Sequence, residues 1–541
     1  MKNGVNYSTR RGFLKIVAVA VLLAPVVKAC RKKVASLLVK LTGTNYILGH
    51  RLWAKNFPKP TTTLNITYLI IGGGITGLSA ARQLKKKGIE DFMLIEMGNH
   101  SGGNASFGEN KYSKFPLGAH YLPLPNFHDK ELITFLYESD IITGFDDKGY
   151  PVFDEEQLTF TPQERLYYKN SWQDGLVPKY GNSNMLDEEF ARFFDLMEKF
   201  RVAKGADGKY MFDIPLCFIS KDDTYRNFDA ITMQRWLQDN SFVSSQLTEY
   251  VNYCCRDDFG LGVAYVSAWA GIHYFAARKR NLGNNRVDNV LTWPEGNARL
   301  ATHLQKYSND KTYTNYLAFD VRSVDNGVEV LAFNALQNEA VLIKADKVIV
   351  TVPQFVNKYI VEGRKEVAKD FTYAPWLLAT LTLSSLPDDF SQPLSWDNVI
   401  FGAQGLGYIY NQHQSLQQLS DKVVITYYHS FSSADTQKTR KAVYKKDKEY
   451  WKTFVLNDLK TAHPAIEELT EEIDIHILGH GMISPVPKFI FGDAKAKAAD
   501  NNLKNVYFAN SDLSGISIFE EAFHQGINAV NLMLNETTLD T

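Results

Sequence analysis

Gly72-Gly73-Gly74-Ile75-Thr76-Gly77 decides the fold of this chain, because of what stands on either side of it. Before it, positions 64–71 end in an unbroken apolar run, Tyr68-Leu69-Ile70-Ile71, as expected of a strand buried on both faces of a parallel sheet. After it, Leu78, Ala81 and Leu84 recur at helical spacing, and Lys85-Lys86-Lys87 with Gly88 supply a basic last turn and a stop. A second apolar run, Phe92-Met93-Leu94-Ile95, ends in Glu96, 22 residues after Gly74. Strand, glycine loop, helix, strand and terminal acid together predict a Rossmann-type dinucleotide site. Gly72 permits the tight turn, Gly74 lets a pyrophosphate approach the backbone, and Gly77 lets helix and strand pack closely. The N-terminus of the helix, with Ile75 and Thr76, offers N–H groups and partial positive charge to phosphates, and Glu96 with Met97 faces the adenosine ribose.

The fingerprint alone does not separate NAD from FAD. Farther along come Ser101-Gly102-Gly103-Asn104-Ala105-Ser106 and Lys114-Phe115-Pro116-Leu117-Gly118-Ala119-His120-Tyr121. This layout resembles the flavin-containing amine oxidase superfamily, which includes monoamine oxidases, protoporphyrinogen oxidases and phytoene desaturases. The resemblance implies FAD as cofactor. It puts Gly102, Gly103 and Asn104 near the pyrophosphate, with Asn104 standing where the family usually has arginine, and Gly118, Ala119 and His120 against the flavin.

Three later stretches extend the resemblance. Leu291-Thr292-Trp293-Pro294-Glu295-Gly296-Asn297 leads into a helical stretch, and Ala318 falls where the family's backbone contacts adenine. Asp346-Lys347-Val348-Ile349-Val350-Thr351-Val352-Pro353 is similar to the strand that returns the chain to the nucleotide domain. Near the end, Asn505-Val506-Tyr507-Phe508-Ala509-Asn510-Ser511-Asp512 reads as a strand, and Ser517-Ile518-Phe519-Glu520 as a capping box opening a helix through Ala522 and Ile527. In the resembling family that helix points at the flavin pyrimidine edge, and Asp512 lies near the ribityl and phosphate chain.

The expected fold is therefore α/β (α+β overall). A Rossmann-type FAD-binding domain is formed from both chain ends, with an inserted substrate domain of helices plus sheet. The expected boundaries are a signal peptide over 1–30, a linker over 31–63, FAD-binding parts over 64–125, 286–360 and 486–541, and substrate-binding parts over 126–285 (helical) and 361–485. Catalytic candidates are His120, placed by its motif, and His273 in Ser267-Ala268-Trp269-Ala270-Gly271-Ile272-His273-Tyr274-Phe275. A satisfied core histidine is the plainer reading of His273. The lysine that family amine oxidases often carry near the flavin is absent from Tyr373-Ala374-Pro375-Trp376-Leu377-Leu378-Ala379-Thr380.

Bulk properties narrow the partners. The 541 residues are 45% apolar and 13% aromatic, enough for more than one core. With 59 basic against 60 acidic residues, nothing draws the chain to nucleic acid, and a small-molecule substrate is expected. No zinc-like cysteine spacing occurs, so no metal is expected; Cys217, Cys254 and Cys255 read as structural thiols. Ser8-Thr9-Arg10-Arg11-Gly12-Phe13-Leu14-Lys15 precedes an apolar run over 16–27, shorter than the ~20 residues a spanning helix needs. This resembles a twin-arginine export signal and implies a periplasmic protein, with a membrane tether if Cys30 bears a lipid; an ordinary basic N-terminus before an anchor is the alternative. Function is expected to be hydride removal from a C–H bond of a small organic substrate, an amine by resemblance, to flavin N5, with oxygen or a quinone as acceptor. A desaturase of a lipophilic substrate and a non-catalytic flavin-holding protein are the alternatives.

Overall fold

The computed structural model describes residues 37–534 except 180, 281–282, 284–288, 387–391, 416–420 and 501–502. The expected export signal over 1–30 and Cys30 lie outside the described residues. Two sheets organise the rest. The first has the order Thr312–Thr314, Phe92–Glu96, Pro60–Ile71, Glu339–Val350, Gly327–Asn334, Tyr316–Val324. Its strand Glu339–Val350 has two partners along one edge. The early half pairs antiparallel with Gly327–Asn334, and the final residues, Val348 to Val350, pair parallel with Val506–Phe508 from the chain's end. The strand Pro60–Ile71 lies on the opposite edge, parallel throughout. The nucleotide domain is thus closed by the last strand of the chain, and the helix Phe519–Met533 that follows packs on the glycine-loop helix Ile75–Lys86. There Ser79 Oγ donates to Phe523 O at 2.6 Å, and Gln83 Nε2 to Asn531 Oδ1 at 2.9 Å.

The second sheet has eight strands in the order Leu38–Gly43, Thr470–Ile483, Tyr373–Leu383, Val423–Ser430, Gly407–Tyr410, Asp397–Ile400, Glu164–Tyr168, Ser171–Asp174. Every residue of Tyr373–Leu383 is buried, as a central strand covered on both faces requires. A helical layer lies on this sheet. Its aromatic core includes Phe193, Phe212, Trp236, Phe259 and Trp269, and Cys254 and Cys255 are buried there as free thiols.

Two expectations about organisation are corrected. Residues 37–59 do not behave as a linker: Leu38–Gly43 is an edge strand of the eight-stranded sheet, parallel to Thr470–Ile483. Two short helices, Tyr46–Gly49 and Arg51–Ala54, then cross to the nucleotide domain, where Phe57 stacks on Phe319 at 4.0 Å. The nucleotide strand also begins at Pro60, four residues before the expected 64. Nor is 126–285 wholly helical, because Glu164–Tyr168 and Ser171–Asp174 end the second sheet as a hairpin.

Candidate functional site: a nucleotide loop opening on an aromatic and acidic chamber

The glycines of the loop act as their spacing predicts. Gly72 has φ +109°, a conformation side chains avoid. A Cβ on Gly77 would lie 1.9 Å from the Gly72 carbonyl oxygen, so helix and strand meet there with no room for a methyl group. A Cβ on Gly74 would meet nothing within 4 Å. That open space above the loop, at the N-terminus of Ile75–Lys86, is a cradle of the kind a pyrophosphate requires. Ile75 and Thr76, in the first turn, are buried against the domain. Glu96 closes one side: its carboxylate accepts from Gly73 N at 2.7 Å and from Gly98 N at 2.6 Å. Burial pushes that carboxyl up from its ordinary value, and the backbone donors oppose the shift.

Gly102 N donates to Gly73 O at 2.8 Å, and a Cβ on Gly103 would lie 3.2 Å from Gly74 Cα, so the second glycine pair sits directly on the first loop. Asn104 stands beside it. Its Nδ2 donates to Gly481 O at 2.5 Å, tying the loop to the long strand Thr470–Ile483. Its carbonyl accepts from Ala119 N at 2.9 Å, which sets Gly118-Ala119-His120 beside the loop. Asn297 holds the other side of that segment, its N–H donating to Ala119 O at 3.0 Å and its Nδ2 to Tyr121 O at 2.8 Å.

Other expected residues fall differently. Met97 lies against Gly49 of the N-terminal segment and packs on the same hydrophobic cluster that buries Ala318. Ala318 itself is paired with Ala332 beside a register shift, so the structure shows it as sheet core. Asp512 is buried with its carboxylate turned to Gln354 N (2.8 Å) and the Tyr373 hydroxyl (2.5 Å), and burial raises it to about 6. Those two donors, which no sequence motif marked, both bind one oxygen of its carboxylate. Ala522 lies in the first turns of Phe519–Met533, partly buried on the nucleotide domain. The capping box is not formed: Ile518 is the N-cap and no side chain caps the helix. Glu520 instead pairs with Arg278 at 2.7 Å, a buried charge drawn to a cation from the other domain. His273 is a core residue: buried, stacked on Trp269, with Nε2 bonded to Asp213 O at 2.9 Å, and burial pushes it down to about 3.

His120 opens onto a chamber that sequence reading missed. Its ring lies 5.1 Å from those of Tyr121 and Tyr428 and 6.0 Å from Trp396, and Tyr121 meets Trp396 edge-on at 5.6 Å. Carboxylates stand behind these rings. Tyr121 donates to Asp257 Oδ2 at 3.1 Å, while Asp397 accepts from Tyr428 (2.9 Å) and Tyr253 (3.1 Å). Tyr253 and Asp257 share one face of the helix Ser245–Phe259, four residues apart. Asp257 and Asp258 are half-buried at the C-terminal end of that helix. Burial, then the neighbouring acids, pushes Asp257 and Asp397 up to about 7 and Asp258 to about 8. Burial holds His120 down at about 4, hence neutral.

Against Gly481, whose carbonyl Asn104 holds, lies a buried donor with no partner among the described residues, Trp376 Nε1. Trp376 is packed between Gly481, where a Cβ would come within 2.6 Å of its ring, and Gly260. Gly260, at φ +72°, ends Ser245–Phe259 in the left-handed cap that brings the helix this close. Gln354, behind Asp512, likewise leaves both amide atoms buried and unpaired. Unsatisfied buried donors beside an open glycine cradle fit a polar, flat cofactor laid from the loop toward His120. No motif marks the chamber: Ser245–Phe259 carries polar residues along its length, Gln246, Glu249, Asn252 and Arg256 among them, so the pair Asp257-Asp258 does not stand out in the sequence.

Residues 70–136 match the NAD(P)-binding Rossmann-like domain family. Among solved structures, the chain is similar to putrescine oxidase bound to putrescine, with 15% identity over 88% of this chain and 100% of that one, at a TM-score of 0.62. It shares their fold. Cyclohexylamine oxidase from Brevibacterium oxydans IH-35A gives 13% identity over 87% and 99%, TM-score 0.61. A CLA-producing fatty acid isomerase from P. acnes gives 14% over 86% and 98%, TM-score 0.59. Two oxidases and an isomerase on one architecture mean that the fold leaves the reaction to be argued from the site.

Proposed function

We propose that the chain is an FAD-dependent oxidoreductase acting on a small organic amine. The observation that carries this reading is the chamber: four aromatic rings backed by Asp257, Asp258 and Asp397, next to a dinucleotide loop. The Gly72–Gly77 turn and helix N-terminus would hold the pyrophosphate and Glu96 the ribose. Gly118, Ala119, Trp376 and Gln354 would flank the flavin. Bound there, FAD supplies at N5 the acceptor for a hydride from the substrate C–H bond and passes the electrons to oxygen or a quinone. The chain's residues do the rest. Ring faces and carboxylates attract an ammonium group, and His120, being neutral, does not repel it. Asp257 or Asp397, titrating near neutrality, takes the ammonium proton and leaves the amine lone pair free, so that loss of hydride gives an iminium.

The test is the visible spectrum of the purified protein under anaerobic conditions, with amines, amino acids and polyamines added in turn. Bleaching of oxidised flavin by one amine class supports the reading. Bleaching only by polyenes or porphyrinogens would transfer it to a desaturase. Flavin that stays oxidised throughout would point to a non-catalytic holder, and absence of any flavin after reconstitution would overturn the cofactor.

A further inference from the structure

We propose that the N-terminal strap, residues 37–59, together with the neighbouring segment 436–450, is a docking face for an anionic lipid surface. The strap leaves large apolar side chains in solvent on two very short helices: Ile47 is 73% exposed, Trp53 60% and Tyr46 44%, with Leu38 and Leu41 exposed on the strand before them. Single exposed apolar residues are ordinary on any surface. Here Trp53 and Tyr46 belong to one continuous strip of rings. Trp53 stacks on His50 at 3.7 Å, His50 lies 5.4 Å from Tyr46, and Tyr46 meets the exposed Tyr444 at 5.2 Å.

Charge singles out the occupant. The chain as a whole carries a net −1, yet positions 31–59 hold seven lysines and arginines and no acidic residue. Positions 436–448 add six basic residues and one acid, Asp447. The two stretches adjoin, since Lys448 Nζ reaches Val39 O at 3.5 Å. The acids nearby are engaged locally: Asp435 and Asp447 cap their own helices, Glu449 pairs with Lys452, and Glu472 and Asp474 pair with Lys40. Lys55, Lys438, Lys441, Lys445 and Lys446 remain exposed around the apolar residues. Trp and Tyr ringed by Lys and Arg is the side-chain chemistry of a membrane–water interface, where rings settle among headgroups and cations meet anionic lipid.

The chain ahead of the strap points the same way. The apolar run over 16–27 ends ten residues before residue 37, with Arg31-Lys32-Lys33 in between, a reach of at most about 35 Å when extended. Any hold the run takes on a bilayer therefore delivers this face to it. Among the described residues no helix is long and apolar enough to cross a membrane, so the contact proposed is with the lipid surface.

Hydrogen exchange of the full chain, followed by mass spectrometry, tests this with three samples: no vesicles, phosphatidylcholine vesicles, and mixed phosphatidylglycerol–phosphatidylcholine vesicles. Amides of 44–55 and 440–450 are expected to exchange about fivefold more slowly with the anionic vesicles only, and high salt is expected to reverse this. The Ile47→Glu/Trp53→Glu double variant should lose the protection while keeping its thermal midpoint. Val243→Glu, a charge placed at a residue 80% exposed elsewhere, should keep it. Flotation of the chain with vesicles while 44–55 exchanges unchanged would overturn the proposal, since the segment before the strap would then bind alone. Concentration-dependent protection without vesicles would also overturn it, in favour of a second copy of the chain.

Discussion

The nucleotide loop and the aromatic chamber are neighbours built by opposite means. The loop is made mostly of backbone: glycines, a helix N-terminus and one carboxylate, that of Glu96, all within positions 72–96. The chamber is made of side chains from positions 120, 121, 253, 257, 396, 397 and 428, carried by separate elements and gathered only by the finished fold. A backbone site tolerates almost no added atoms, whereas a side-chain site is tuned by charge and ring.

The largest effect should come from adding a methyl group where the backbones touch. Gly77→Ala places a Cβ 1.9 Å from a carbonyl oxygen and should cost about 3 kcal/mol, with no flavin retained, as read by thermal melting and visible absorbance. Gly74→Ala sharpens the contrast. With nothing within 4 Å the fold should melt unchanged, while flavin per chain falls about tenfold because the methyl group fills the phosphate cradle. If Gly74→Ala kept its flavin, the cradle would be misassigned.

In the chamber, Asp397→Asn should keep flavin but slow its anaerobic reduction by the preferred amine about 100-fold, since a proton acceptor is replaced by an amide. The same carboxyls set a pH dependence. Asp257 and Asp397, held up to about 7, stay protonated in the folded chain where the unfolded chain has already released its protons at about 4. Their contribution to stability is thus full below about pH 4 and lost as pH rises through 7. Flavin reduction should rise over the upper part of that window, as the acceptors deprotonate. Melting temperatures between pH 5 and 8 should fall for the parent chain and fall less steeply in Asp397→Asn, where Asp257 and Asp258 remain. His273→Leu, outside both regions, should cost about 2 kcal/mol by leaving the Asp213 carbonyl unpaired, and should leave the reduction rate as it was. Ser517→Ala should change stability by less than about 0.5 kcal/mol, since no capping bond exists to lose.

Legibility in the sequence follows the same division. Strand, glycine turn, helix and Glu96 are local constraints on the backbone, so their spacing specified the βαβ unit. The edge strand Leu38–Gly43 was hidden because its partner, Thr470–Ile483, lies more than 400 residues away and its own pattern is short. The hairpin of Glu164–Tyr168 and Ser171–Asp174 was hidden within a stretch read as helical, its two strands being only five and four residues long. The capping box failed through long-range charge, as Arg278 outcompetes the helix end for Glu520. His120 was placed by its motif, but Asp257, Asp397 and Tyr428 carry no local signature, because their meaning lies in one another.

The parallel pairing of Val506–Phe508 with Val348 to Val350 has a consequence in time. During synthesis the glycine loop is made early, but the strand that closes its sheet and the helix whose Gly526 nests against Thr76 are made at the end. A growing chain therefore carries the fingerprint for most of its synthesis without a domain able to use it. Nucleotide loading is thus expected to need both stretches: a chain cut short before Phe519–Met533 lacks the helix that packs on the loop helix and should remain empty.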